Sequence, residues 1–563
     1  MLKKPKPRFL MMSFSIVALL MLILSACGGT TSTPSTTSPG GTPVKGGTWI
    51  DDLFEEPDSL IPNASVETFA YMVQYGLYAP LVYSTPKGEM MPGLATAVPT
   101  VANGGVSADL KTVTFHLRSG LVWSDGQPLD ARDVDFTWKL QTNPKFPTYN
   151  TIGVGDIASA VVSSDNLSIT FTLKAPLVSF VSQWSDTGLM PMHHYQGMDP
   201  ASITKSPDNL NPSVTNGPFM MSESKPGDHY TIVKNPKYYQ AAQGLPYLEK
   251  VVFKITTDQN TILKDLQAGT IDSSWFLNVA NALAYAKLSS YTVVADPNSY
   301  SWEALWFNFH NKTLANNPEV RTAIAMATDQ QTLIDVARRG LGGKRCQDHP
   351  QVQVPGYTAN LTCPQLNPDI AGANTLLTQK GWVLGSDGVR TKNGQRLEFQ
   401  YSTTANNLWR ADDQLINKTN FAKIGVKVNV QNYPASTFFG SILITAKPGV
   451  YDIAEFASSG AIDPDDASSL QCGSPGNLAY YCSSQMDALL KQEQSTGDPA
   501  ARQKAFDSIN HLEVTDFPFV LEFSAPDVAI HKKGTENYNP SAIGIGETIN
   551  IWEWWCDGGT CPA

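Results

Sequence analysis

The sequence predicts a mixed α/β chain of more than one domain, and three observations point there. Val113, Phe115 and Leu117 alternate with Thr114, His116 and Arg118, which is the period of a half-buried strand. Helix signals follow within a few residues: Asp130 offers an N-cap, and Val134, Thr137 and Trp138 fall at helical spacing. The chain is 563 residues long and 42% hydrophobic, enough for several cores and two to four domains by length.

From the N-terminus, Lys3, Lys4, Lys6 and Arg8 precede an almost uninterrupted apolar run from Phe9 to Leu24. This is the layout of a secretory signal, and the run also approaches the length of a membrane anchor. Leu24-Ser25-Ala26-Cys27 matches the bacterial lipobox, so residues 1–26 are expected as a lipoprotein signal peptide with lipidation on Cys27. One lipid chain holds a membrane only marginally, at about 0.8 kcal/mol per buried methylene, and two or more hold firmly. Residues 27–44 are nearly all Gly, Ser, Thr and Pro, a disordered tether of roughly 20–25 Å root-mean-square span. Loss of the four N-terminal basic residues moves the net charge from -11 to -15. That balance excludes a basic nucleic-acid face.

With Cys27 set aside, six cysteines remain in three near pairs: Cys346/Cys363, Cys472/Cys482 and Cys556/Cys561. Six cysteines allow 15 connectivities, which sequence cannot choose among. Neighbour pairing is the simplest, and an extracytoplasmic location permits it. No C-x-x-C occurs and the spacings are unlike zinc motifs.

Along the body, Ser119-Gly120 and Ser124-Asp125-Gly126 turn the chain on either side of a short apolar run ending at Trp123, expected as a second strand. Leu167 to Lys174 alternates strictly, and Val251 to Thr256 is a further strand. Asn317 suits an N-cap, Pro318 a first turn and Arg338-Arg339-Gly340 a helix stop, so one helix is expected between them. Tyr451-Asp452-Ile453-Ala454 reads as a strand entering a loop.

Several strings carry more than periodicity. The stretch from Leu110 to Trp138, with Asn216-Gly217-Pro218-Phe219, Asn235-Pro236-Lys237-Tyr238-Tyr239 and Pro318 to Ala327, resembles family 5 extracellular solute-binding proteins, the receptors of peptide and nickel ABC importers. The resemblance runs from about Lys45 to Pro540. It implies a bilobal, periplasmic-binding-protein-like (type II) α/β fold with an additional inserted domain. Carried over, lobe I is residues 45–85, 205–305 and 525–563, the insert is 86–204 and lobe II is 306–524. Ligand is expected between the lobes, with hinge closure burying it. The implied partners are a small-molecule or peptide ligand and permease subunits. The chain is expected as a monomer, lipid-anchored on the outer face of the bacterial cell membrane.

Peptide binders of the family hold the ligand's α-ammonium with an aspartate four residues before a proline in the pocket loop. Here that residue is Gly460, before Pro464. An ammonium without a counter-charge is expensive to desolvate. Either another carboxylate serves (Glu56, Glu67 or Glu303), or the ligand is not an ordinary peptide; an oligosaccharide and a nickel complex stay open. The expected ligand-binding residues are Trp302, Trp306, Tyr401, Trp409, Ser458, Ser459, Gly460 and Asp463. Each Trp has core packing as its alternative, and Asp463 has turn formation. Trp552, Trp554 and Trp555 lie outside the family pattern.

Enzyme signatures are missing. No G-x-S-x-G, H-E-x-x-H or P-loop occurs. His193 and His194 are adjacent rather than one helical turn apart, and Asp463, Asp465 and Asp466 lack EF-hand spacing. Carboxylate pairs for a secreted hydrolase can converge from distant segments. The reading is a binding protein without catalytic residues, cofactor or metal.

Overall fold

The strand Thr48–Leu53 runs through the middle of a seven-stranded sheet. The computed structural model describes residues 42–185, 187–295, 301–338, 345, 367–445, 447–458, 462–524, 527–541 and 546–556. Thr48–Leu53 pairs in parallel with Lys250–Ile255 on one side and Ser273–Ser274 on the other. Such two-sided pairing suits a strand buried on both faces. Polar side chains link it to its neighbour: Trp49 Nε1 donates to Ser273 Oγ at 2.8 Å, and that hydroxyl donates to Asp51 Oδ1 at 2.5 Å. The sheet continues through His229–Lys234 to Phe219–Lys225 at one edge, and through Val528–Lys532 to Tyr291–Ala295 at the other. Helix Thr68–Leu77 packs on it. Gly76 lets the helix approach closely, because a Cβ there would fall 2.5 Å from Ile232 Cδ1.

A three-stranded antiparallel sheet follows in the segment expected as the insert: Thr112–His116, Ser168–Leu173 and Ile157–Val162. Asp130 caps helix Ala131–Gln141 as expected. It accepts from the Arg132 amide at 2.9 Å, while Asp133 Oδ2 accepts from the Asp130 amide at 3.0 Å, a reciprocal capping box. The run ending at Trp123 forms no strand. Val122 makes only an isolated bridge to Pro128, because the turn at Gly126 (φ 93°) returns the chain at once. Phe115, Phe171 and Trp184 belong to one apolar core that also holds Trp49 and Tyr230, so this sheet shares the interior of the seven-stranded lobe.

The second lobe is a five-stranded sheet in the order Lys427–Val430, Glu398–Ser402, Ile453–Ser458, Trp302–Phe307, Phe519–Ser524. One face buries Phe399, Trp382 and Phe421, and the other buries Trp306, Phe438 and Tyr451. Trp302–Phe307 pairs wholly within this sheet, so the expected lobe boundary at 305–306 falls inside a strand. The chain passes twice between the large sheets, and the ends of the two passages are paired: Ala295 with Val528 in the first sheet and Trp302 with Ser524 in the second. This is the arrangement of a two-strand hinge.

The helix expected from Asn317 to Gly340 is interrupted. It ends at Ala327, Thr328 is extended, and a new helix runs Gln330–Ala337. Asp329 accepts from the Thr332 amide at 3.1 Å and so restarts the helix as an N-cap. Asn317 makes no cap bond. Its Nδ2 donates to Thr313 O at 2.9 Å, closing the preceding turn. Cys472 and Cys482 form the expected disulfide. Cys27, Cys346, Cys363 and Cys561 lie outside the described residues. Among the described residues no helix is long and apolar enough to cross a membrane.

Candidate functional site

A cavity of about 400 Å³ opens where the two large sheets face each other. Its first wall comes from the end of Thr48–Leu53 and the approach to helix Thr68–Leu77, which place Glu55, Glu67 and Phe69 on it. Trp275 and Phe276, just beyond Ser273–Ser274, complete that wall. The second lobe contributes Arg410 from helix Leu408–Lys423, and Phe456, Ala457 and Ser458 from the end of Ile453–Ser458. Tyr149 and Asn150 close one side. A second cavity of about 470 Å³ adjoins it, sharing Tyr149 and Leu478 and lined also by His310, Tyr480 and the Cys472–Cys482 disulfide.

Phe276 has φ 60°, a conformation costly for a bulky side chain. Its carbonyl accepts from Gln259 Nε2 at 3.0 Å, and the Leu277 amide donates to Val528 O at 3.0 Å. These bonds hold the ring 5.8 Å from Trp409, across the cleft.

Arg410 is committed to its own lobe. Its Nε and Nη2 donate to the two oxygens of Glu303 at 3.0 and 3.3 Å, and Nη1 donates to Thr404 Oγ1 at 2.8 Å. Its guanidinium stacks over Trp409, 4.9 Å from the ring centroid. Burial pushes Glu303 up to about 7 against the pull of Arg410. The pair is fully enclosed, so its partners are fixed rather than exchanged with water.

The first wall is acidic and poorly compensated. Glu67 is 2% exposed, and neither of its carboxylate oxygens has a partner in hydrogen-bonding geometry. Burial raises it well above the usual carboxylate range. Asp58 and Glu55 add to this, and the Asp58 and Phe69 amides only ease it. Glu55 is raised by burial too, with Arg410 opposing, and its Oε1 is unpartnered. Asp58, bonded by Ser65 Oγ, is raised by burial to about 6.

The expected site residues divide. Ser458 lines the main cavity. Trp302 and Trp409 line a narrow space beside it with Glu303 and Arg338. Trp306 stands one layer back, its ring stacked on cavity-lining Phe456 at 5.3 Å and 6°, and does not itself line the cavity. Tyr401 is fully buried in the second lobe, donating to Glu455 and accepting from Asn417 Nδ2 at 3.2 Å. Asp463 is held by both terminal nitrogens of Arg502, at 3.0 and 2.5 Å, and accepts from the Asp465 amide at 3.2 Å. That is the turn-setting alternative. Ser459 and Gly460 lie outside the described residues. Of the substitute carboxylates, Glu67 is on the cavity wall and Glu303 is tied to Arg410, while Glu56 accepts from the Gly227 amide and Tyr230 Oη. His193 and His194 pair separately with Asp125 and Asp208. Glu55, Phe276 and Arg410 were not anticipated. Only Arg410 had a local signal, its place beside Trp409 at a helix start.

The insert also reaches the second lobe. Ser179 Oγ donates to Asp465 Oδ2 at 2.6 Å, and the Val178 amide donates to Gln494 O at 2.8 Å. Contacts across both sides of the cavity describe a cleft drawn closed.

Comparison with known proteins agrees with this geometry. The chain is 24% identical to the oligopeptide-binding protein AppA of Bacillus subtilis over 571 residues, covering 97% of this chain and 98% of that one. The solved structure of B. subtilis AppA in complex with a nonapeptide superposes with a TM-score of 0.83 at 21% identity, covering 92% of this chain and 100% of the other. NikZ of Campylobacter jejuni, in complex with Ni(L-His), gives a TM-score of 0.77 at 21% identity, covering 90% and 99%. These likenesses show the bilobal α/β binding-protein fold. The family model of bacterial extracellular solute-binding proteins, family 5, matches residues 89–479, well over half of the sequence. The chain therefore belongs to the family 5 bacterial extracellular solute-binding proteins.

Proposed function

We propose that this protein is the capture subunit of an ABC importer. It binds an oligopeptide-like solute between its lobes, closes over it and delivers it unaltered to a permease. The observation that carries this reading is the cavity itself, walled by residues from both large sheets and from the inserted segment beside a two-strand crossing. A site built from both lobes binds fully only in the closed state, so ligand shifts the hinge equilibrium by its differential affinity. The peptide-binding relative AppA supports the solute class. In the proposed arrangement Cys27 carries the lipid anchor, residues 27–44 form the leash, and the body works as a monomer on the outer face of the membrane.

Thermal shift with dipeptides, oligopeptides, oligosaccharides and nickel tests the reading. A true ligand at 100 times its dissociation constant adds about 2.7 kcal/mol of stability, and the expected hit is an oligopeptide. Chemical turnover of the hit would contradict the binding role.

A further inference from the structure

We propose that the interlobe cavity selects a ligand bearing an ammonium or guanidinium group and seats that group against Glu67 and Glu55. This rests on the reading of the cavity as the solute site and assigns its chemistry.

Charge on the walls argues for a cation. Among the described residues lining the cavity, the charged ones are Glu55, Glu67 and Arg410. Arg410 is matched by Glu303 at 3.0 Å, so the lining carries two further carboxylates, Glu55 and Glu67. Glu67 is almost wholly buried and its oxygens lack partners, and Glu55 has one such oxygen. Native structures seldom leave buried polar atoms unpaired unless something else comes to meet them. Phe69, Tyr71 and Trp275 stand on the same wall, and aromatic faces favour a cation over a neutral group. An uncharged ligand offers Glu67 no counter-charge, and an ionised carboxylate without one is costly away from water.

Glu67 interacts with Asp58, Glu55 and Tyr230, and Asp58 in turn with Tyr71 and Tyr149. From the second lobe, Arg410 bears on Glu55. In that setting burial first, and then Asp58 and Glu55, raise Glu67 well above the usual carboxylate range and favour its protonated form in the empty cavity. An arriving cation favours the carboxylate, and the proton leaves to solvent. Capture is thus a cation-for-proton exchange, tighter as pH rises.

The test uses three C-terminally amidated pentapeptides of otherwise identical apolar sequence. One has a free N-terminus, one is Nα-acetylated with a single lysine, and one is Nα-acetylated and uncharged. Calorimetry in two buffers of different ionisation enthalpy gives affinity and proton count. At least one cationic peptide should bind about tenfold or more tighter than the uncharged one, releasing a substantial fraction of about one proton. The first two arms tell an α-ammonium from a side-chain ammonium. Glu67→Gln, which removes the charge and keeps the shape, should erase both the preference and the proton release; Glu55→Gln should weaken the preference and serves should the first variant misfold. Equal binding of the uncharged peptide, or a preference that survives in both variants, overturns this assignment and leaves solute capture standing. Binding of none of the three overturns the peptide reading and this assignment with it.

Discussion

The ring of Phe276 lies 5.8 Å from that of Trp409, the first belonging to the seven-stranded lobe and the second to the five-stranded one. Phe276 reaches that place only in a left-handed backbone conformation, so local strain is spent on a contact between lobes. Aromatic pairs contribute about 0.5–1.5 kcal/mol beyond buried area. Phe276→Ala should therefore open the cleft and weaken ligand binding about two- to tenfold, with little loss elsewhere. Small-angle scattering of the ligand-bound variant should report a larger radius of gyration than the ligand-bound parent. An unchanged radius would mean that the ring packs within one lobe only.

Arg410 and Glu303 should behave as a unit. Arg410→Ala strands a buried carboxylate, a change that costs about 3–5 kcal/mol. Arg410→Met combined with Glu303→Met removes both charges and should recover most of that loss. Urea unfolding of the single and double variants gives the coupling energy directly. Additive losses would contradict the pairing.

The interior of the second lobe makes stability depend on pH. Asp413, Glu455 and Glu522 bring carboxylate oxygens within 4.8 Å of one another, fully buried. Burial and mutual repulsion raise Asp413 and Glu455 well above the carboxylate range. Glu522 rises to about 8 from an ordinary 4.5, through burial first and Glu303 second. Between those values the folded state keeps a proton that the unfolded state has lost. The stabilisation is full below the unfolded value and disappears as pH rises through about 8, at about 1.4 kcal/mol per pH unit for one group. Glu522→Gln should flatten that part of the profile by chemical denaturation from pH 5 to 9. A parent and variant with parallel profiles would refute the assignment.

The Cys472–Cys482 bridge closes a short loop against the second cavity. Its removal by paired serine substitution should cost about 2–3 kcal/mol on the loop-entropy model. Reducing conditions should lower the midpoint of thermal unfolding more for the parent than for the variant.

Much of this was legible in the sequence where a rule is local. The alternation from Leu167 to Lys174 became the central strand of the three-stranded sheet, and Asp130 is the N-cap its position suggested. The helix expected from Asn317 to Gly340 breaks in two because Asp329 is itself an N-cap, well before the Arg338-Arg339-Gly340 stop. At the site, locality runs out. Trp306 and Tyr401 carry the same apolar signature whether they face a ligand or a core, and both are buried, behind Phe456 and against Glu455. Arg410 meets Glu303 across 107 positions of sequence, and no spacing rule links them. Phe276 has a left-handed backbone that only its surroundings impose. Glu67 was named merely as one of three substitutes, because its burial depends on Glu55, Asp58 and the opposing lobe.

Whether two halves shut around a solute is tested most directly by scattering from the purified protein, with and without the cationic pentapeptide. The account predicts a ligand-dependent contraction that saturates with binding and needs about tenfold more ligand in Glu67→Gln. A radius of gyration unmoved at full occupancy would contradict it.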